Sequence, residues 1–90
     1  MHVDNNKINV LNELHATFSN VAIYFRERVC EECNFSVPTF YRKMQDKDKL
    51  DAKGRLVRVF SNAEKEMIRE IAKEVQEVLI SSLNGLKSKS

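Results

Sequence analysis

The side chains best suited to binding a ligand lie close together in the middle of the chain. Ser36 and Thr39 carry short hydroxyl groups three residues apart, and the cations Arg42 and Lys43 follow them. Pro38 lies between the two hydroxyl residues, which suits the first turn of a helix because proline loses no helical hydrogen bond there. Short hydroxyls and free backbone N–H groups at a helix N-terminus bind phosphate well. This segment is therefore predicted to begin a helix that can bind phosphate.

Two cysteines offer a second kind of chemistry. Cys30 and Cys33 have the C-x-x-C spacing of metal and redox sites. A zinc site needs about four ligands, and only His2 and His15 remain as soft ligands. A thioredoxin-like site needs a βαβ context, which the sequence does not predict. Both cysteines fall on the apolar face of a predicted helix, so we expect largely buried thiols with no metal, no cofactor and no catalytic role.

The positive charges are concentrated around the predicted phosphate-binding helix. Residues 36–60 carry seven Lys or Arg against three Asp, whereas residues 1–35 carry three against five Asp or Glu. Such a basic stretch is typical of a surface that attracts phosphate. It is equally typical of an ordinary charged loop, and charge alone does not separate these interpretations.

The sequence around the basic stretch predicts a helix-turn-helix over about residues 21–45. Its first helix ends near Cys33, and Asn34 tolerates the left-handed conformation that ends a helix. The second helix begins within two residues. Its N-cap is open between Ser36, which has a capping hydroxyl, and Val37, which precedes proline and so disfavours the α region.

Residues 29–44 resemble the DNA-reading motif of tetracycline-repressor-type transcriptional regulators, whose usual pattern is I-A-x-x-A-G-V-S-x-G-T-L-Y-R-H-F. Four residues match it outright: Ser36, Thr39, Tyr41 and Arg42. Four more fall on its apolar positions: Val29, Phe35, Phe40 and Met44. The chain departs from the pattern at Cys30 and Cys33 in place of alanines, and at Asn34 and Pro38 in place of glycines. The resemblance implies a recognition helix over about 37–45 in the major groove.

We expect DNA contacts from this helix and from the basic residues after it. The helix is predicted to contribute Ser36, Val37, Thr39, Tyr41, Arg42 and Lys43. Additional phosphate contacts are predicted from Lys47, Lys53, Arg55 and Arg58. Val37 and Thr39 are expected to point to base edges, and Arg42 and Lys43 to phosphate. Phe40 and Met44 are expected to face inward against the preceding helix.

Two helices are predicted before the turn. Apolar residues at helical spacing indicate the first: Ile8, Leu11, Leu14 and Phe18. Its N-cap is expected at one of three residues: Asp4, Asn5 or Asn6. Polar residues then predict a break before the second helix: Thr17, Ser19 and Asn20.

The C-terminal third predicts one long helix over about residues 62–83. Ser61 and Glu64 match the S-x-x-E capping box, in which each side chain satisfies the other's backbone N–H. Eight apolar residues keep helical spacing behind it: Met67, Ile68, Ile71, Ala72, Val75, Val78, Leu79 and Leu83. Asn84 and Gly85 form a typical stop, because glycine tolerates the left-handed conformation.

The segment before this helix is short and charged. The residues of Arg55–Phe60 include enough β-branched side chains for a short strand. Lys53-Gly54 suits the tip of a hairpin, although the partner strand around Leu50 is weak. A short β-hairpin at 49–60 is therefore an open element of the expected fold.

Length and composition bound the whole fold. Ninety residues with two Gly and one Pro predict a single, mainly α-helical domain over residues 1–90. We expect a compact helix-turn-helix bundle of about four helices. No apolar run approaches the roughly 18 residues of a membrane span, and two cysteines suit a reducing compartment, so a cytoplasmic protein is expected.

These features together predict a small transcriptional regulator that binds double-stranded DNA and is not an enzyme, with no small-molecule effector implied. A homodimer through residues 62–83 is expected, because a helix of about 22 residues spans roughly 33 Å, more than a small core needs. Helix-turn-helix dimers also commonly span half-sites about 34 Å apart. The alternative is a protein–protein adaptor that uses the amphipathic C-terminal helix.

Overall fold

The computed structural model describes residues 9–88, which form three helices and one two-stranded antiparallel sheet. The elements in chain order are α1 (Val10–Cys33), α2 (Val37–Gln45), β1 (Lys49–Leu50), β2 (Leu56–Val57) and α3 (Asn62–Ser88). The mainly helical fold with a long C-terminal helix is confirmed. The prediction of about four helices is wrong, because the described residues form three. Within the described range, no helix combines the length and apolar character that crossing a bilayer requires.

α1 is one continuous helix where two were predicted. The break expected at residues 17–20 is wrong, because this region stays helical where α1 packs against α3, and Thr17 Oγ1 donates to the Glu13 carbonyl at 2.9 Å inside the helix. Asn9 caps the N-terminus by accepting a hydrogen bond from the Asn12 N–H at 2.8 Å. Some residues assigned to this region from the sequence lie outside the described range: Asp4, Asn5, Asn6 and Ile8.

α3 begins as predicted and ends later. The Ser61 N–H donates to Glu64 Oε1 at 2.9 Å, and the Glu64 N–H donates to Ser61 Oγ at 3.1 Å, so the capping box is confirmed. The stop predicted at Asn84 and Gly85 is wrong, since the helix continues to Ser88. Gly85 has a right-handed helical backbone and does not end the helix. Glycine can adopt the left-handed conformation that ends a helix, but it does not have to.

α1 and α3 pack side by side as an antiparallel pair. Near the middle of the pair, Tyr24 and Arg28 of α1 both donate hydrogen bonds to the Glu74 carboxylate of α3. Among the described residues, only Val29 and Ile71 are fully buried. The expectation of a compact bundle is wrong: the radius of gyration is 18.6 Å, against about 12 Å for a compact domain of this length. Two long helices form a single layer, and a single layer encloses little core.

The hairpin between α2 and α3 is confirmed, with its tip where the sequence placed it. The register is Lys49 opposite Val57 and Leu50 opposite Leu56. Gly54 adopts the left-handed conformation, with φ of 78°, and its N–H donates to the Asp51 carbonyl at 3.0 Å. The Asp51 carboxylate accepts the N–H groups of Lys53 and Arg55 at 2.8 and 2.9 Å. These hydrogen bonds, that of Arg55 above all, hold the pKa of Asp51 below its ordinary value.

Candidate nucleic-acid interface

The turn between α1 and α2 has the predicted geometry. Asn34 adopts the left-handed conformation, with φ of 59° and ψ of 44°, and ends α1. The backbone N–H groups of Asn34 and Phe35 both donate to the Cys30 carbonyl, the second at 2.9 Å. These bonds satisfy a carbonyl at the helix end and fix the point where α2 leaves α1. α2 then packs against the last part of α1.

The first turn of α2 is capped by Ser36, which settles the open choice of N-cap. Ser36 Oγ accepts the Thr39 N–H at 3.2 Å and donates its hydroxyl proton to Thr39 Oγ1 at 2.9 Å. The two predicted contact residues thus hold each other, and Thr39 is half-buried. Val37, the first helical residue, is 44% exposed and is the freer of the two side chains predicted to reach base edges.

The inner face of α2 packs on an aromatic cluster. The ring of Phe40 meets that of Phe25 edge-on at a centroid distance of 6.5 Å, as predicted for an inward-facing residue. Phe35 and Phe60 lie beside them, with ring centroids 6.4 Å apart. Met44 lines the same cavity as Phe25 and Val29 but is 67% exposed, so it lies at the rim of this cluster and its prediction as an inward-facing residue is confirmed only in part.

Lys43 also lies on the inner side of α2. Its ammonium group donates to the Val59 carbonyl at 2.9 Å. It also lies 5.2 Å from the ring centroid of Phe35 and 5.4 Å from that of Phe60, which is the distance range of cation–π contacts. Lys43 was predicted to contact phosphate, and the structure instead places it in the packing that joins α2 to the start of α3.

The outer face of α2 presents Tyr41 and Arg42. Tyr41 is 47% exposed, and its hydroxyl accepts a hydrogen bond from Arg26 Nη1 at 3.1 Å. This bond raises the pKa of Arg26, a cation beside the helix. Arg42 is exposed and makes no hydrogen bond or ion pair with any described residue. The sequence prediction omitted Arg26 as a site residue, because its position depends on the angle between α1 and α2.

The basic residues after α2 divide into free and engaged side chains. Arg55 pairs with Asp51 at 3.0 Å, and Arg58 donates to Asn62 Oδ1 at 3.1 Å, so both are engaged within their own segments. Three exposed lysines have ammonium groups with no hydrogen-bond or ion-pair partner among the described residues: Lys47, Lys49 and Lys53. Lys49 was missing from the predicted contacts, although its place in the basic stretch was a signal that could have included it.

The two cysteines lie at the end of α1 beside the turn. Both are free thiols and half-buried, so the expectation of largely buried side chains is too strong. The Cys30 thiol donates weakly to the Ser36 carbonyl at 3.9 Å, and burial raises the pKa of Cys33. Within the described residues, no three His, Cys, Asp or Glu side chains are grouped to hold a metal ion.

Comparisons of this chain with family models, with curated proteins and with solved structures found no match.

Proposed function

We propose that this chain binds double-stranded DNA sequence-specifically as a small transcriptional regulator, with α2 in the major groove and with neither catalysis nor a cofactor. The observation that carries the proposal is the division of α2 into two faces. Phe40 and Lys43 pack inward, whereas Val37 and Arg42 are exposed on the outer face. An outer face of this kind can enter a groove without disturbing the packing beneath it.

Free cations beside α2 support the proposal. Four exposed side chains follow one another along α2 and the hairpin, and their charged groups have no partner among the described residues: Arg42, Lys47, Lys49 and Lys53. Cations of this kind neutralise phosphates and release counterions from DNA. The resemblance of residues 29–44 to the motif of tetracycline-repressor-type regulators supports the assignment of α2 as the recognition helix.

The test is a titration of duplex DNA at several salt concentrations with two matched variants. Arg42→Ala and Lys73→Ala each remove one positive charge, but Lys73 lies on α3, where it pairs with Glu70 at 3.2 Å on the surface. Arg42→Ala should weaken binding to all sequences and reduce the salt slope by about 0.9. Lys73→Ala should bind like the wild type. Undiminished affinity and slope in a folded Arg42→Ala protein would show that the proposed surface is wrong.

A protein–protein adaptor that uses α3 is the second candidate. It is favoured by three large apolar side chains of α3 that are 37–49% exposed: Met67, Val78 and Ile80. A column of immobilised random-sequence DNA separates the two functions. The regulator should be retained at low salt and elute as the salt concentration rises, whereas an adaptor should flow through.

A further inference from the structure

An apolar stripe runs along most of α1 but is covered over only part of its length. Its members are spaced seven, four, three and four residues apart and so share one side of the helix: Leu11, Phe18, Ala22, Phe25 and Val29. Phe25 and Val29 line the cavity beneath α2. Beyond α2 the stripe is open, since Leu11 is 74% exposed and Phe18 is 51% exposed.

α3 carries a similar stripe that starts at the same cavity. Ile68 lines this cavity together with Phe25 and Val29. Helical spacing then continues from Ile68 through Ala72, Val75, Leu79 and Leu83, of which Ala72 is exposed and the others are half-exposed. Because residues of both stripes line one cavity, the two stripes lie on the same side of the helix pair, where their other members are partly or fully exposed. We call this surface the long apolar face; its residues are Leu11, Phe18, Ala22, Ala72, Val75, Leu79 and Leu83.

The chain exposes much more surface than a compact monomer of its mass. Its accessible area is 7395 Å², whereas the mass relation for folded monomers gives about 5,400 Å² for 10.5 kDa. The excess is about 2,000 Å² per chain, or about 4,000 Å² for two chains, which lies within the roughly 2,000–5,000 Å² that an obligate homodimer interface buries in total. With only Val29 and Ile71 fully buried among the described residues, each chain has little core of its own.

The long apolar face is able to pair with a second copy of itself. None of its seven residues is charged. A partner selected by charge complementarity has nothing to recognise on this face. Two copies related by a two-fold axis can bring it together without like-charge repulsion, and depletion of charge is typical of the core of an interface.

We infer that a second copy of this chain covers the long apolar face, so that α1 and α3 of two copies pack as a two-fold assembly of four helices. The dimer expected through residues 62–83 thereby also includes Leu11 and Phe18 of α1. The inference does not depend on DNA binding. Within the proposed function, it would supply two recognition helices to one duplex.

Light scattering or sedimentation of the full chain without DNA tests the inference. At high micromolar concentration, the mass should be twice the 10.5 kDa of one chain. Phe18→Lys should weaken dimerisation about 30-fold or more, because it buries a charge in the interface. Met67→Lys is the matched control: Met67 is 38% exposed but lines the opposite side of α3, beside Arg28 and Glu74, so this variant should remain a dimer.

Leu11→Lys provides a second variant in case Phe18→Lys does not fold, since Leu11 is the more exposed of the two. A monomeric wild type, a dimer that persists in a folded face variant, or equal dissociation of Met67→Lys would each overturn the inference. A dimer that does not bind duplex DNA would overturn the proposed function and leave the dimer in place. Salt-dependent DNA binding by a monomer would do the reverse.

Discussion

The guanidinium group of Arg28 in α1 and the carboxylate of Glu74 in α3 form a two-point ion pair across the helix pair. Nε donates to Oε2 at 2.7 Å, and Nη2 donates to Oε1 at 3.1 Å. Nη1 of Arg28 donates to Glu31 and Glu32 on its own helix, and the Tyr24 hydroxyl donates to Glu74. Paired geometry of this kind is specific, so it favours one register of α1 against α3.

Acid should remove the stabilisation that Glu74 contributes. Hydrogen bonds from Arg28 and then from Tyr24 lower the pKa of Glu74 from 4.5 to about 2. A carboxyl group with a lowered pKa in the folded state contributes stability above its unfolded pKa and loses it as the pH falls through the folded pKa. Glu74→Gln should therefore be less stable than the wild type at neutral pH, and the two melting temperatures should converge between pH 4.5 and about 2. Circular dichroism across this pH range measures the convergence.

Glu70→Gln is the control for this acid experiment. Glu70 is also a carboxylate of α3, but it is 62% exposed and, within residues 9–88, pairs only with Lys73, so its removal should change stability little. A gap between wild type and Glu74→Gln that stays constant down to pH 2 would contradict the role assigned to the Arg28–Glu74 pair.

The backbone of Asn34 should control the turn more than its side chain does. Asn34→Ala should lower the free energy of unfolding by about 1 kcal/mol, because alanine in the left-handed conformation is strained. Asn34→Gly should be close to neutral, since glycine adopts this conformation freely. Urea unfolding of both variants measures the difference. Equal losses in the two variants would assign the stabilisation to the asparagine side chain instead.

Lys43 should act on stability, whereas Arg42 should act on DNA. Lys43→Met keeps the aliphatic stem but loses the hydrogen bond to Val59 and the cation–π contacts, so we expect a loss of about 1–2 kcal/mol in unfolding free energy. Arg42→Ala should stay within about 0.5 kcal/mol of the wild type, as exposed substitutions usually do. If Lys43→Met were as stable as the wild type and bound DNA poorly, Lys43 would have to contact DNA directly.

Truncation of Phe40 should loosen the packing of α2 on α1. A fully buried phenylalanine costs about 3–5 kcal/mol when it is replaced by alanine, and a half-buried ring should cost less, about 2 kcal/mol. Met44→Ala is a suitable comparison on the same helix, because Met44 is largely exposed and should cost little. Denaturant titration measures the loss of unfolding free energy in both variants. A larger loss for Met44→Ala than for Phe40→Ala would contradict the packing of Phe40 on the inner face of α2.

Substitutions at Val37 and Lys53 should affect DNA binding in different ways. Val37→Ala should change which duplex sequence is preferred, with about 1–3 kcal/mol at stake for a good base contact. Lys53→Ala, at the hairpin tip, should weaken binding to all sequences equally. Selection from a randomised duplex pool, followed by titration of the selected sequences, separates these outcomes. An unchanged preference in Val37→Ala would remove this residue from the base-reading surface.

Features that depend on near neighbours in the chain were predictable from the sequence. The capping box of Ser61 and Glu64 and the left-handed turn at Asn34 both formed as residue type and spacing predict, and the N-cap of α2 is Ser36, one of the two residues that the sequence left open. Their hydrogen bonds span only a few residues. In such cases the identity of each residue already determines most of the local geometry. The basic stretch that contains Arg42 is visible in the same way.

Features that depend on distant contacts required the tertiary structure. The sequence predicted a break near Thr17, but this region of α1 stays helical as part of the helix that packs against α3. Lys43 has the charge of a phosphate-binding residue, but its ammonium group points inward because it binds the Val59 carbonyl and lies over the ring of Phe60. Both residues come from the segment before α3, so the sequence around α2 could not predict this orientation. Helical spacing shows which residues share a face but not what covers that face, because the covering residues come from elsewhere in the chain.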